Sequence, residues 1–167
     1  MTTVAEYLNG LSDEDANAEL LRCCHSGAWA EAMVRSRPFA DEAGLFGTAE
    51  SSWWDLEPAD WLEAFAAHPR IGDRPQESSS TADWSFAEQT GMTEASDPIQ
   101  QAVAAGNRFY ESRFDHVFLI CASGRSGEEM AAELARRLEN SPKVELRTAA
   151  AEQAKITRLR LERLGAT

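Results

Sequence analysis

Little in this chain points to a membrane, a secretory route, a metal or a nucleic acid. No run approaches the roughly 18 consecutive apolar residues that a membrane-spanning helix needs. The start, Met1-Thr2-Thr3-Val4-Ala5-Glu6, has neither the basic residues nor the apolar run of a secretory signal. The end, Gly165-Ala166-Thr167, is not a peroxisomal Ser-Lys-Leu address, so a cytoplasmic protein is expected. Cysteine is scarce: Cys23, Cys24 and Cys121 form an odd set without zinc-ligand spacing, as free thiols in a reducing compartment do. The histidines, His25, His68 and His116, lack H-x-H or H-x-x-x-H spacing, and no protein metal site is expected. Positive charge is also short, with 16 basic residues against 28 acidic ones and a net charge of −12. Such a field repels nucleic acid and anionic membranes. It equally disfavours an anionic substrate, unless arginines reverse the potential locally. There is no Gly-x-Ser-x-Gly elbow, no phosphate-binding glycine motif and no internal repeat.

What is present is an ordinary globular composition, 43% hydrophobic and 26% charged over 167 residues, which suits one domain spanning 1–167. The patterning is helical. Ser12-Asp13-Glu14-Asp15 is a cap followed by an acidic first turn, with Ala16, Leu20, Leu21 and Cys24 at helical spacing behind it. A second helix is predicted from Gly27 to Arg35, ending before Arg37-Pro38-Phe39. Ser36 to Ser52, with Gly44 and Gly47, holds at most one short helix. Pro58 to Ala67 places Trp61, Phe65 and His68 on one face, and Pro69 stops that helix. Arg74 to Thr81 is a polar, turn-rich loop. A helix resumes near Asp83 and stops at Gly91; another opens at Asp97-Pro98 with Val103, Asn107 and Tyr110 on successive turns. Val117 to Cys121 is a short apolar run without a partner, hence a buried connection or a helix end. Ser126 with Glu129 makes a capping box for a helix ended by Asn140-Ser141-Pro142, and the last helix runs from Lys143 to Leu164. The fold class is all-α, a single bundle of about seven to eight helices.

Three places carry chemistry. His68 lies on an apolar face where a polar ring needs a partner, before a tight Pro69–Gly72 exit, and can titrate near neutral pH. Ser85 and Glu88 share a helix face; Ser-x-x-Glu is also a capping-box pattern, and Ser85 can cap while Glu88 projects into a cleft, with Gln89 following. In the last helix, with Ile156 as reference, Leu159 falls at about −60°, Arg160 at about +40° and Arg163 at about −20°, while Arg158 points away at about 200°. An inward arginine needs an anionic partner, a carboxylate of the chain or a substrate anion. The loop Ser123-Gly124-Arg125-Ser126 is a weak anion-binding candidate.

The ordered set of these residues resembles the 2-oxo-4-hydroxy-4-carboxy-5-ureidoimidazoline (OHCU) decarboxylase family over nearly the whole chain. It includes Trp29 with Met33, Arg37-Pro38-Phe39, His68-Pro69-Arg70-Ile71-Gly72, Ser85-x-x-Glu88-Gln89, Asn107-x-x-Tyr110-x-x-x-Phe114-x-x-x-Phe118, Gly124-Arg125-Ser126, Arg137-Leu138-x-Asn140 and Ile156-x-x-Leu159-Arg160-Leu161. One departure is Asp115-His116, where the family has a glycine after Phe114. The resemblance implies an all-α fold, often dimeric, and conversion of OHCU to (S)-allantoin and CO₂ without a cofactor. It implies catalytic roles for His68 and Glu88. It implies substrate contacts from Pro69, Ser85, Gln89 and Arg160, and from backbone in the run holding Phe118, Ile120 and Ala122. Two other classes remain open: a same-fold enzyme for another ureido or imidazoline acid, and a non-catalytic helical interaction module.

Overall fold

The computed structural model describes residues 1–73 and 82–165, so the predicted polar loop Arg74–Thr81 lies outside the described residues. The described residues form ten α-helices and no strand: α1 (Val4–Gly10), α2 (Asp13–Cys23), α3 (Gly27–Arg35), α4 (Glu42–Trp54), α5 (Pro58–Ala66), α6 (Ala82–Glu88), α7 (Thr90–Thr93), α8 (Asp97–Phe114), α9 (Gly127–Arg137) and α10 (Pro142–Leu164). The all-α class holds, with more helices than the seven or eight predicted.

The surplus has local causes. α1 is opened by a Thr3–Glu6 capping box. α4 runs 13 residues from an Asp41 cap, through both glycines, because it buries Leu45, Ala49 and Trp53. The helix predicted to stop at Gly91 instead breaks at Gln89 and resumes as α7. Gly91 is a spacer there, since a Cβ on it would lie 1.9 Å from the carbonyl oxygen of Arg125. Ser126 caps α9 by accepting from the Glu129 N–H at 3.1 Å. Pro142 begins α10, where its missing N–H costs nothing.

The chain divides into two compact units, Met1–Ala64 with Ala154–Thr167, and Phe65–Gln153. In the first, Leu8, Leu20, Trp29, Met33, Leu45 and Trp53 are buried. Buried indole N–H groups need acceptors; Trp29 donates to the Ala49 carbonyl and Trp61 to that of Trp53, both at 3.0 Å. Arg37 donates to the Leu11 carbonyl at 2.9 Å and to that of Leu8, closing the end of α1.

The second unit packs Val103, Tyr110 and Phe114 of α8 and Met130 and Leu134 of α9 around Ile71, Met92, Phe118, Ile120 and Ala122. Of the two readings of Val117–Cys121, the structure has the buried connection, without helix or strand. Its polar backbone is satisfied from outside: buried Arg137 donates to the Leu119 carbonyl at 2.6 Å, and Glu152 accepts from the Cys121 N–H at 3.4 Å. Arg137 is itself held by Glu145, at 2.7 Å from its Nε, and Glu145 also accepts from the Tyr110 hydroxyl. At the end of α8, Asp115 takes the left-handed conformation (φ 60°). Aspartate is among the few residues besides glycine that tolerate this backbone, which fits a position where the resemblance leads one to expect glycine.

Candidate functional site

α5 delivers His68. Trp61 and Phe65 are buried on its inner face, and the helix ends at Ala66, one residue earlier than predicted. The His68 N–H closes the last turn on the Phe65 carbonyl at 3.1 Å, which leaves the ring half-buried just past the helix end. Its Nε2 stands 2.7 Å from Oε1 of Gln153, a side chain with no exposed surface. An amide oxygen only accepts, so this bond puts the proton on Nε2.

The segment after His68 is pinned at three points. The Gly72 N–H donates to Gln89 Oε1 at 2.9 Å, and Asn107 donates to the Ile71 carbonyl at 3.0 Å. Arg70 turns outward to a forked pair with Glu111 at 2.6 and 3.0 Å. Gly72 has φ +94°, which a side chain would strain. This backbone keeps Pro69 half-buried next to His68.

α6 supplies Ser85 and Glu88, both buried and three residues apart on one face. Ser85 is the fourth residue of α6, so it does not cap that helix, and the capping reading falls away. Gln89 is also buried, with its oxygen committed to the loop backbone. Phe118, Ile120 and Ala122 turn their side chains into the core.

His68, Pro69, Ser85, Glu88, Gln89, Phe118, Ile120 and Ala122 therefore all belong to the second unit. Arg160 belongs to the first. It is buried, as the helical wheel predicts, and donates to the Arg22 carbonyl at 3.4 Å. Arg158 is exposed, pairs with Glu162 at 3.1 Å and stacks over Phe46; Arg163 is half-buried. Burial pushes the Cys24 thiol up to about 12, against the opposing field of Arg160, and raises Cys23 likewise. These thiols are inert neighbours, not nucleophiles.

Gln153, Asn107 and Glu152 were not singled out by sequence as polar groups serving the site, although Asn107 stood in a quoted pattern. The wheel that turned Arg160 inward also puts Gln153 at about +60° and Glu152 at about −40°, so the signal was there. A cavity of about 630 Å³ is lined by Arg70–Asp73, Phe86, Gln89 and residues of α7 and α8. His68, Ser85 and Glu88 do not line it, so the cavity and the candidate acid–base groups are different places. Among the described residues, no cluster of three or more His, Cys, Asp or Glu is placed to hold a metal. No helix there is long and apolar enough to cross a membrane. What the second unit does offer is an imidazole hydrogen-bonded to a buried amide, a buried carboxylate and a buried hydroxyl.

Comparison with known proteins identifies the family. The family model for OHCU decarboxylase matches residues 9–162. The chain is 42% identical over 146 residues to the uric acid degradation bifunctional protein TTL of Arabidopsis thaliana, covering 85% of this chain and 45% of that protein. It thus spans about half the length of that relative. Over 160 residues it is 29% identical to the 2-oxo-4-hydroxy-4-carboxy-5-ureidoimidazoline decarboxylase of Haloferax volcanii, covering 93% and 92% of the two chains. A crystal structure of OHCU decarboxylase in the presence of (S)-allantoin superposes with TM-score 0.78 at 37% identity, over 94% of this chain and 100% of that one. A crystal structure of (S)-allantoin synthase superposes with TM-score 0.72 at 18% identity, over 95% and 52%, a likeness of fold alone.

Proposed function

Because the chain belongs to the OHCU decarboxylase family, we propose that it is a carboxy-lyase that converts OHCU to (S)-allantoin and CO₂ without a cofactor, after urate oxidation and 5-hydroxyisourate hydrolysis. The observation that carries this reading is His68, half-buried and held through Nε2 by Gln153, in the same unit as the buried carboxylate of Glu88.

The substrate supplies its own electron sink. Breaking the C4–CO₂ bond leaves an electron pair that forms C4=C5 and passes into the adjacent C5=N bond, whose nitrogen takes up a proton. The resulting enol loses the C4 hydroxyl proton and gains one at C5, giving the carbonyl of allantoin. His68 manages these protons, since a neutral imidazole carries one donor and one acceptor nitrogen. Glu88 accepts from ring or ureido N–H groups and holds the substrate face; delivery at C5 from one side sets the S configuration. Ser85, Pro69, Gln89 and the backbone of Phe118–Ala122 complete the contacts. We assign the charge offset to Arg160, on the strength of its burial and its match to the family pattern. A homodimer and a cytoplasmic location belong to the same proposal, supported by the resemblance and by the composition respectively.

The test is a coupled assay in which OHCU is generated enzymatically from urate and allantoin is followed by circular dichroism. The proposal requires rapid appearance of optically active allantoin, a fall in kcat/KM of at least about tenfold for Glu88→Gln, and a raised KM for Arg160→Gln. Turnover of other ureido or imidazoline acids but not OHCU would favour the same-fold alternative, and no turnover at all the interaction module.

A further inference from the structure

We infer that Gln153 is a positioning residue for His68, selecting the ring tautomer that the decarboxylation uses; this rests on the catalytic role proposed above for His68. Gln153 sits in an alanine-rich stretch of α10, beside the fully buried Ala149 and Ala150. A glutamine with no exposed surface is costly there unless its amide is satisfied. Its oxygen meets His68 Nε2 at 2.7 Å. The bond does two things at once. It stops the ring from turning about its own axis, and it assigns the proton of the neutral ring to Nε2, which makes Nδ1 the nitrogen that accepts and returns a proton.

The chemical identity of the partner matters. A carboxylate at this position would favour the imidazolium and hold the proton that catalysis must move. A neutral amide orients the ring and fixes its tautomer without adding charge beside it. This is the same economy by which hydrogen bonds around a ligand histidine set which nitrogen does the work.

The experiment has a readout independent of turnover. The chain has only three histidines, so long-range ¹H–¹⁵N spectra of histidine-labelled protein are readily assigned with His68→Gln. At a pH where the ring is neutral, His68 shows the Nε2–H tautomer in the wild type. Gln153→Met loses that preference, while Gln153→Glu, which keeps an oxygen acceptor, retains it. In the coupled assay Gln153→Met loses about 10- to 100-fold in kcat with little change in KM. An Nδ1–H ring in the wild type, or an unchanged tautomer in Gln153→Met, overturns the inference. A changed tautomer with undiminished kcat overturns its bearing on catalysis. If Gln153→Met does not fold, the wild-type and Gln153→Glu spectra still decide. Should His68→Gln itself keep full activity, the catalytic reading fails while the spectra report on the hydrogen bond alone.

Discussion

Asp115 and Gln153 show how differently single residues announce themselves. Asp115 interrupts a recognisable pattern, and its left-handed backbone accounts for the interruption. Gln153 interrupts nothing: it sits in a run of alanines, and only its angle on the helix marks it as inward. Arg160 was legible because a guanidinium within an apolar arc is conspicuous, whereas an amide is not. Cys24 was read as a free thiol, and its surroundings give that reading a measurable consequence. The folded thiol keeps its proton up to about pH 12, whereas an unfolded one releases it near 9. Between those values the unfolded state binds fewer protons, so stability falls as pH rises, and it is unaffected below them. Urea midpoints measured from pH 8 to 11 fall for the wild type and fall less steeply for Cys24→Ala. Parallel slopes for the two proteins contradict this.

Elements with strong caps and a clear stripe, such as α2, α3 and α9, are readable because local and tertiary preferences agree in them. α4 was underestimated because Gly44 and Gly47 lower its intrinsic helicity; burial of Leu45, Ala49 and Trp53 decides the matter instead. α7 was merged with α6 because Gly91 looks like a stop, and only the carbonyl of Arg125 reveals it as a contact point. Nor could the sequence show that α9 and α10 grip the 118–122 run through Arg137 and Glu145. Both side chains are fully buried, so removing one leaves the other charged and unpaired. Arg137→Met is expected to lower unfolding free energy by roughly 3–5 kcal/mol, read from urea titration. Adding Glu145→Leu recovers part of that loss, since the double variant leaves no orphan charge. A loss under about 1 kcal/mol for Arg137→Met would mean the pair does not hold the connection as described.

At the scale of the whole molecule, α5 and α10 each supply residues to both compact units. We propose that the chain unfolds as one cooperative domain. Four of the five tryptophans, Trp29, Trp53, Trp54 and Trp61, lie in the first unit, so fluorescence reports mainly on it while far-ultraviolet circular dichroism reports on both. The two urea transitions coincide if this is right and separate if the units melt independently. Net charge belongs to this scale as well. The anionic substrate proposed above calls for inward cations in a protein at −12, and Arg137 and Arg160 are both buried. Arg137 is held by Glu145, while the substrate role proposed above for Arg160 rests on its burial and its match to the family pattern. The most direct test of the account compares wild type with His68→Gln, both shown to be folded, in the coupled assay starting from urate. The account predicts rapid formation of optically active (S)-allantoin by the wild type and a loss of at least about 100-fold in kcat for the variant. Equal rates from the two proteins would contradict it.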